Sequence, residues 1–443
     1  MAKVIPFKGL RYNVDKVGDI SNVTTPPYDI ISKAEQEDFY TLSPYNSIRL
    51  ELPRELPGDD EQQNKYTRAG ETLQDWLNQE VLLREETDCF YIYQQEFQLE
   101  DKKAYIRTGL IGLVKLEEFD KGIILPHENT LSKPKADRLQ LMRACNANFS
   151  QVFGLYDDME QIIPNIIKDY CSKYKPDIAM ETDTVGSVER LWAVDSSDFI
   201  EKVEAVLDDK KLYIADGHHR YETALNYRNE LIKQNPNHTG NELYNYVMMT
   251  LVDVDDPGLV ILPTHRMVNG IENISLDSLM DKLGENFEIE EHNIAGQATE
   301  EKGEIIQTIL DRKGLHSFVL YAKNMESIYS LSLKSMDIMK TLHPDRHSSY
   351  LDLDVSILHS LILDNLLGIG EKELANQENL EYTHSIKEGV EGVEKSEQQM
   401  TFFMSATTNK QIQEVSLANE KMPQKSTYFY PKLITGLVFN KFR

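Results

Sequence analysis

The stretch Leu212–Leu225, LYIADGHHRYETAL, places an acid, a glycine, two histidines and an arginine in five consecutive residues, Asp216 to Arg220. An apolar, β-prone run ends at Asp216-Gly217, and from His218 the apolar residues Tyr221, Ala224 and Leu225 recur at helical spacing. The pattern predicts strand, tight turn at Gly217, then helix, with Asp216 near the N-cap. Such a turn aims backbone N–H groups and the positive end of a helix dipole at one point, which suits a phosphate. His218, His219 and Arg220 add the donors an anion needs. The plainer reading is a surface helix with a polar first turn, and one glycine is less than a Walker-type loop.

Four other segments carry chemistry. Thr24–Asp29, TTPPYD, is stiffened by two prolines and presents Tyr28 and Asp29 in a fixed direction. Leu125–Ser150 begins with His127 and Glu128 at the end of an apolar run, passes Lys133 and Lys135, and continues through Asp137, Arg138 and Arg143 to Asn146, Asn148 and Ser150. Asp137 is expected to cap a helix carrying Arg138 and Arg143, with the asparagines where it ends. His127 and Glu128 are adjacent and lack the HExxH spacing of a zinc site, so their metal signal is weak. Leu259–Leu262 reads as a strand ending in Pro263, Thr264, His265 and Arg266. Near the C-terminal end, Lys425, Ser426, Thr427 and Lys432 are groups that hold phosphate or carboxylate through charge-assisted bonds. Three apolar strands thus end in polar clusters (PHE, ADGHHR, PTHR), and in an α/β sheet such ends tend to line one cleft. On this reading Glu128, Asp216 and His265 share a cleft, with Lys425 on the same wall as His218.

These residues imply phosphoryl transfer rather than hydrolysis by a nucleophile. That chemistry needs cations, an acid to orient or deprotonate a hydroxyl, and usually a divalent ion. Arg220, His218, His219, Lys425 and Arg138 supply the first. Asp216, Glu128 or Asp29 supply the second or ligate the ion. No G-x-S-x-G elbow, zinc-finger spacing or dinucleotide fingerprint is present.

DGHHR resembles the second conserved box of the ParB/sulfiredoxin superfamily, in which the turn opens a helix that holds nucleotide phosphates. TPPYDII, the PHE to Asp-Arg to Asn-rich series, ILPTHR and KSTYFYPKLITGL together resemble the DUF1015 family, members of which have been compared with free-serine kinases of the ParB-like type. Ser132-Lys133-Pro134-Lys135 departs from the family pattern. The resemblance implies a ParB/sulfiredoxin-like core, ADP or ATP with Mg2+, and free serine or phosphoserine as the small-molecule substrate. It casts Asp216, Glu128, His218 and Arg220 as catalytic residues, with Asp216 and Glu128 as candidate metal ligands. Gly217, His219, Arg138, Lys425, Ser426, Thr427 and Lys432 would hold the nucleotide. Asp29, His127, Asn146, Asn148, His265 and Arg266 would hold the substrate. The alternative is a non-catalytic nucleotide-binding switch or adaptor of the ParB type.

The elements that must position these groups alternate between helix and strand. Residues 61 to 83 read as an amphipathic helix with Tyr66, Leu73, Trp76 and Leu77 on one face, and Phe90–Phe97 with Tyr105–Val114 reads as a hairpin. Asn46–Leu50 reads as a strand, Tyr244–Val254 as a buried strand, and Leu351–Leu367 as a core helix in which His359 is a satisfied histidine. The class expected is mixed α/β. Three regions are expected: 1–120, a core at 121–270 with PHE, DGHHR and PTHR, and 271–443, whose KST motif returns to the cleft.

The chain has 443 residues, enough for two or three domains, with 40% hydrophobic and 27% charged residues. A formal net charge of -26 argues against nonspecific binding to nucleic acid or anionic membrane. Cys89, Cys145 and Cys171 have neither disulfide-framework nor metal-ligand spacing and are expected to be thiols in a reducing cytoplasm. No apolar run suggests a signal peptide or a membrane span.

Overall fold

The computed structural model describes residues 2–99, 102–182, 186–272, 275–370 and 379–442. The protein is mixed α/β and divides into two compact units. The first comprises residues 1–126, 130–260 and 431–443, and the second comprises 127–129 and 261–430. Among the described residues no helix is long and apolar enough to cross a membrane. Cys89 and Cys145 are buried and Cys171 is half-buried, all three as thiols.

A nine-stranded mixed sheet builds the first unit. Its order is Ile124–Leu125, Leu212–Asp216, Val152–Tyr156, Tyr246–Asp253, Ala104–Lys115, Phe90–Gln98, Ser187–Val194 and Ile178–Thr182, with Val4–Ile5 also pairing to Ala104–Lys115. Leu212–Asp216 runs parallel to Ile124–Leu125 and antiparallel to Val152–Tyr156. Tyr246–Asp253, YVMMTLVD, is buried along its whole length, as its continuous apolar run predicts. Ile163, Val203, Leu207, Tyr221 and Ala224, from three helices, pack with Ile214, Val247, Met249 and Leu251 into one core.

Several local expectations fail for physical reasons. Asn46–Leu50 is not a strand: Ile48–Glu51 is a single helical turn, and the Asn46 side chain accepts the Ile48 amide at 2.9 Å. The asparagine thereby supplies the turn with a local alternative to a ladder bond. Asp137 does not cap a helix but lies inside one, Ser132–Cys145, whose first turn tolerates Pro134. The run 259–266 is broken at Pro263 into Val260–Leu262 and His265–Val268, so His265 and Arg266 open a second strand and do not close the first. Leu351–Leu367 is not one regular helix either. Asp354–Ile357 is α-helical and Leu358–Asp364 is a π-helix.

In the second unit a six-stranded sheet has the order Phe287–Asn293, Ser327–Leu333, Ser317–Ala322, Met400–Met404, His265–Val268 and Leu380–Thr383. Its core gathers Ile306, Ile309 and Leu310 of the helix Thr299–Lys313 with Val319, Ile328, Val390 and Phe403.

Candidate functional site

In the first unit the predicted strand, turn and helix are present as Leu212–Asp216, Gly217 and His218–Gln234. Asp216 ends the strand, and Gly217, at φ 88°, is the N-cap. That left-handed backbone explains the glycine. Space explains it again, because a Cβ there would stand 2.9 Å from Arg220 Nε. The arginine folds back over its own turn. Its Nη2 donates to Asp216 Oδ2 at 2.7 Å and its Nη1 to the carbonyl of Gln151.

The other Asp216 oxygen accepts from Lys432 Nζ at 2.7 Å. Two cations therefore share one carboxylate at the start of a 17-residue helix. Burial pushes the Asp216 carboxyl up, but Lys432 and Arg220 overcome it and hold the group far below the ordinary carboxylate range. Such a carboxylate aligns cations; it does not accept a proton at neutral pH. The base or metal-ligand role expected for Asp216 gives way to this one. Among these three groups the charges sum to one positive, on top of the helix dipole.

Lys432 is held from behind by a polar row on one face of the sheet. The ladder aligns Glu189 with Gln95 and Gln95 with Arg107. Gln95 Nε2 donates to the Lys432 carbonyl at 3.1 Å and to Glu189 at 3.2 Å, and Tyr93 donates to Glu189 at 2.6 Å. Arg107, fully buried over the Phe153 ring, donates to Gln95 and to the carbonyl of Pro431. Sequence reasoning passed over all four of these side chains. The signal was a charged residue, Arg107 or Glu189, set in a strand otherwise fit for a core. The Gln151 side chain, completely buried beside the turn, has no hydrogen-bond partner among the described residues.

The expected Tyr28, Asp29 and Arg138 belong to the same neighbourhood. The Arg138 guanidinium lies 4.1 Å over the Tyr28 ring and is buried. It donates to Asp137 and, at 2.6 Å, to the Glu51 carbonyl, so its role is to fasten Asp137 and the Ile48–Glu51 turn. Burial first, and Asp29 and Glu51 after it, push Tyr28 up to about 12 against the opposing pull of Arg138 and Arg220. Asp29 is exposed, and among the described residues it alone of the acids here (Asp29, Glu51, Asp137, Asp216) has no ion-pair or hydrogen-bond partner.

Other expected ligands are committed elsewhere. His218 is buried, and the His219 ring accepts the Leu131 amide at 2.8 Å, tying the turn to the start of Ser132–Cys145. Asn146, at φ 51°, ends that helix and accepts from Tyr227 at 2.7 Å. Asn148 accepts the Met248 amide and the Asn440 side chain. Both asparagine side chains thus take part in holding the fold.

The remaining expected residues belong to the second unit. There the PHE and KST segments meet, some three hundred positions apart. His127 Nε2 lies 3.1 Å from Thr427 Oγ1, the His127 carbonyl accepts the Met422 amide at 2.8 Å, and Glu128 accepts the Lys425 amide at 3.3 Å. Lys425 is exposed, in left-handed backbone at φ 57°, and its carbonyl accepts from Arg266 at 3.1 Å. Ser426 is buried, donating to the Pro423 carbonyl. Arg266 also donates to the Thr264 carbonyl, and burial lowers it to about 10. Burial, then Arg266 and His384, lowers His265 to about 3, and its ring accepts the Met404 amide. These bonds secure a turn; they do not present a row of open donors.

For a divalent ion the fit is poor at Asp216, where two cations already occupy the carboxylate. Among the described residues no three His, Cys, Asp or Glu side chains gather to hold a metal. At the turn, Arg220 and Lys432 together outweigh the single charge of Asp216 between them, and the helix N-terminus faces the same point.

No curated protein matches the chain. Among solved structures, a conserved hypothetical protein from Pyrococcus furiosus aligns at 14% identity, covering 74% of this chain and 95% of its own, with a TM-score of 0.33. A free serine kinase in complex with AMP aligns at 14% identity over 74% of this chain and 92% of its own, TM-score 0.34. C-terminally truncated SbnI from Staphylococcus aureus aligns at 9% identity over 73% and 85%, TM-score 0.31. At these scores the likeness carries no functional inference. The sequence itself matches one family across residues 4–356, and the chain accordingly belongs to DUF1015, described as protein of unknown function.

Proposed function

We propose that the Gly217 turn binds the phosphates of a nucleotide and that the protein is a nucleotide-dependent phosphotransferase acting on a small hydroxyl metabolite. The observation that carries this reading is the pair of cations, Arg220 and Lys432, converging at 2.7 Å on Asp216 at the N-terminus of a long helix. A phosphate oxygen can take an N–H donor from Arg220 without that guanidinium leaving Asp216, because it carries five donors, and Lys432 adds its fixed positive charge beside it. Asp29 is then the acid that orients or deprotonates the acceptor hydroxyl, as it is near enough to act on Arg220 and Tyr28 electrostatically and is not already paired. Serine enters as the leading acceptor from the resemblance of the family signatures to free-serine kinases.

Calorimetry with ADP and ATP, followed by turnover with serine, tests this. Arg220→Ala is expected to weaken nucleotide binding by roughly 1.5–3 kcal/mol. Asp29→Asn is expected to keep binding while turnover falls by about 10²–10⁴. Unchanged affinity in Arg220→Ala removes the phosphate assignment. One observation favours a second reading, a nucleotide-binding switch without turnover: three of the four acids near the turn are already paired. Binding without turnover in the wild type selects that alternative.

A further inference from the structure

The second unit holds a cavity of about 330 Å3 that takes no part in the reading above. Its lining includes His343, Arg346, Tyr350, His359, Asp364 and Met422. The volume falls at the lower end of the range for metabolite pockets. One wall is the π-helix Leu358–Asp364, whose i→i+5 turn brings His359 and Asp364, five residues apart, onto the same face. Widened turns of this kind recur at functional sites.

His359 is the informative group. Arg266, fully buried, points its Nε at His359 Nε2 at 3.4 Å. A guanidinium can only donate, so Nε2 is the acceptor and the ring proton sits on Nδ1. Burial, then Arg266, keeps the ring neutral. The residue is 7% exposed, lines the cavity, and its Nδ1–H has no partner among the described residues. An acceptor on a ligand in the cavity can take this N–H.

The rest of the wall offers both signs of charge. Arg346 donates one bond to Glu420 at 2.7 Å and lies 4.4 Å over the Tyr350 ring, with its side chain 42% exposed and N–H donors to spare. Asp364 is exposed and has no ion pair among the described residues. Ile369 and Met422 supply apolar surface. A polyphosphate would meet Asp364, and a hydrocarbon would leave the Nδ1–H unmet. We propose that this cavity binds a free amino acid as its zwitterion, with the carboxylate on Arg346 and the His359 Nδ1–H, the ammonium on Asp364, and the side chain against Ile369 and Met422.

The test uses the full chain with 15N-labelled histidine, titrated with each of the twenty amino acids at concentrations on the order of 10 mM. At least one is expected to shift the His359 Nδ1 resonance. Its deaminated and decarboxylated analogues should each bind about tenfold or more weakly. Asp364→Asn should abolish the preference for the amino acid over the deaminated acid, and Arg346→Gln should weaken both. The proposal is overturned if no amino acid moves His359, if the analogues bind equally, or if Asp364→Asn binds as wild type does. Lys432→Met, altered only in the first unit, should bind the amino acid normally while losing nucleotide, so the two readings fail separately.

Discussion

Replacing Lys432 by methionine keeps the length of the side chain and removes its charge. Asp216 then retains one partner, Arg220 Nη2 at 2.7 Å, in place of two. Orphaning a buried charge costs about 3–5 kcal/mol, and losing one charge-assisted bond about 1.5–3 kcal/mol. Since Arg220 remains, and Asp216 is 21% exposed beside a lysine at 8%, the lower figure applies, and we expect about 2 kcal/mol. The assay is a double-mutant cycle of Lys432→Met and Asp216→Asn by urea unfolding. The two tryptophans, Trp76 and Trp192, both lie in the first unit and report on it selectively. A coupling of about 2 kcal/mol is expected at pH 7. Its pH dependence has a definite sign. Asp216 has a depressed folded pKa, so its stabilisation is present above the unfolded value of about 4 and is lost as pH falls toward the much lower folded value. The coupling should therefore be level from pH 8 to 5 and fade only in acid. A coupling below about 0.5 kcal/mol at pH 7, or one unchanged at the lowest pH where the protein still folds, would refute the view that these two charges organise the turn.

Two further substitutions read the same unit. Gly217→Ala forces a side chain into left-handed backbone and against the Arg220 guanidinium, so we expect a loss of about 1–3 kcal/mol of unfolding free energy by urea titration together with weaker nucleotide binding; stability equal to wild type would mean the turn relaxes freely. Asp253 is raised to about 6, chiefly by burial and further by Asp255, Asp158 and Asp157, so wild type loses stability as pH rises from about 4 through 6. Asp253→Asn should escape that loss, gaining about 1–2 kcal/mol relative to wild type between pH 4 and pH 8, and a pH-independent difference would contradict the burial argument.

The strand, turn and helix around Gly217 were legible because each cue is local: an apolar run, a glycine, and a 3.6-residue repeat. The roles within it were not. That Asp216 aligns two cations depends on Lys432, 216 positions away, and on Gln95 and Arg107, whose partnership exists only once the strands are in register. Arg107 in particular interrupts a strand that otherwise reads as ordinary, and nothing in its neighbours shows that its charge would be buried against the Pro431 carbonyl. Asp137 lies inside its helix and not at the cap because Pro134, in the first turn, loses no intrahelical bond, so the helix starts at Ser132. The π-helix at Leu358–Asp364 escaped for a different reason. Its apolar periodicity is that of a core helix, and the inserted residue leaves no composition signal.

The C-terminal segment shows why residue type alone could not choose between its two lysines. Lys425 and Lys432 lie seven positions apart in one donor-rich run, and either could hold a phosphate by charge. What separates them is how much of their freedom folding has already removed. Lys425 is exposed, and its backbone is held by Arg266 through its carbonyl and by Glu128 through its amide, which leaves the ammonium unfixed. Fixing such a side chain on an anion costs about 1.5–2 kcal/mol of rotamer entropy. Lys432 has met that cost on folding, since Gln95 grips its carbonyl and Asp216 receives its ammonium. An anion arriving at the turn finds that charge already aimed and needs to reorganise little, which is the condition for a preorganised electrostatic site. The polar row of Tyr93, Gln95, Arg107 and Glu189 thus has a function that its distance from the phosphate would not suggest: it converts a flexible lysine near the end of the chain into a fixed one.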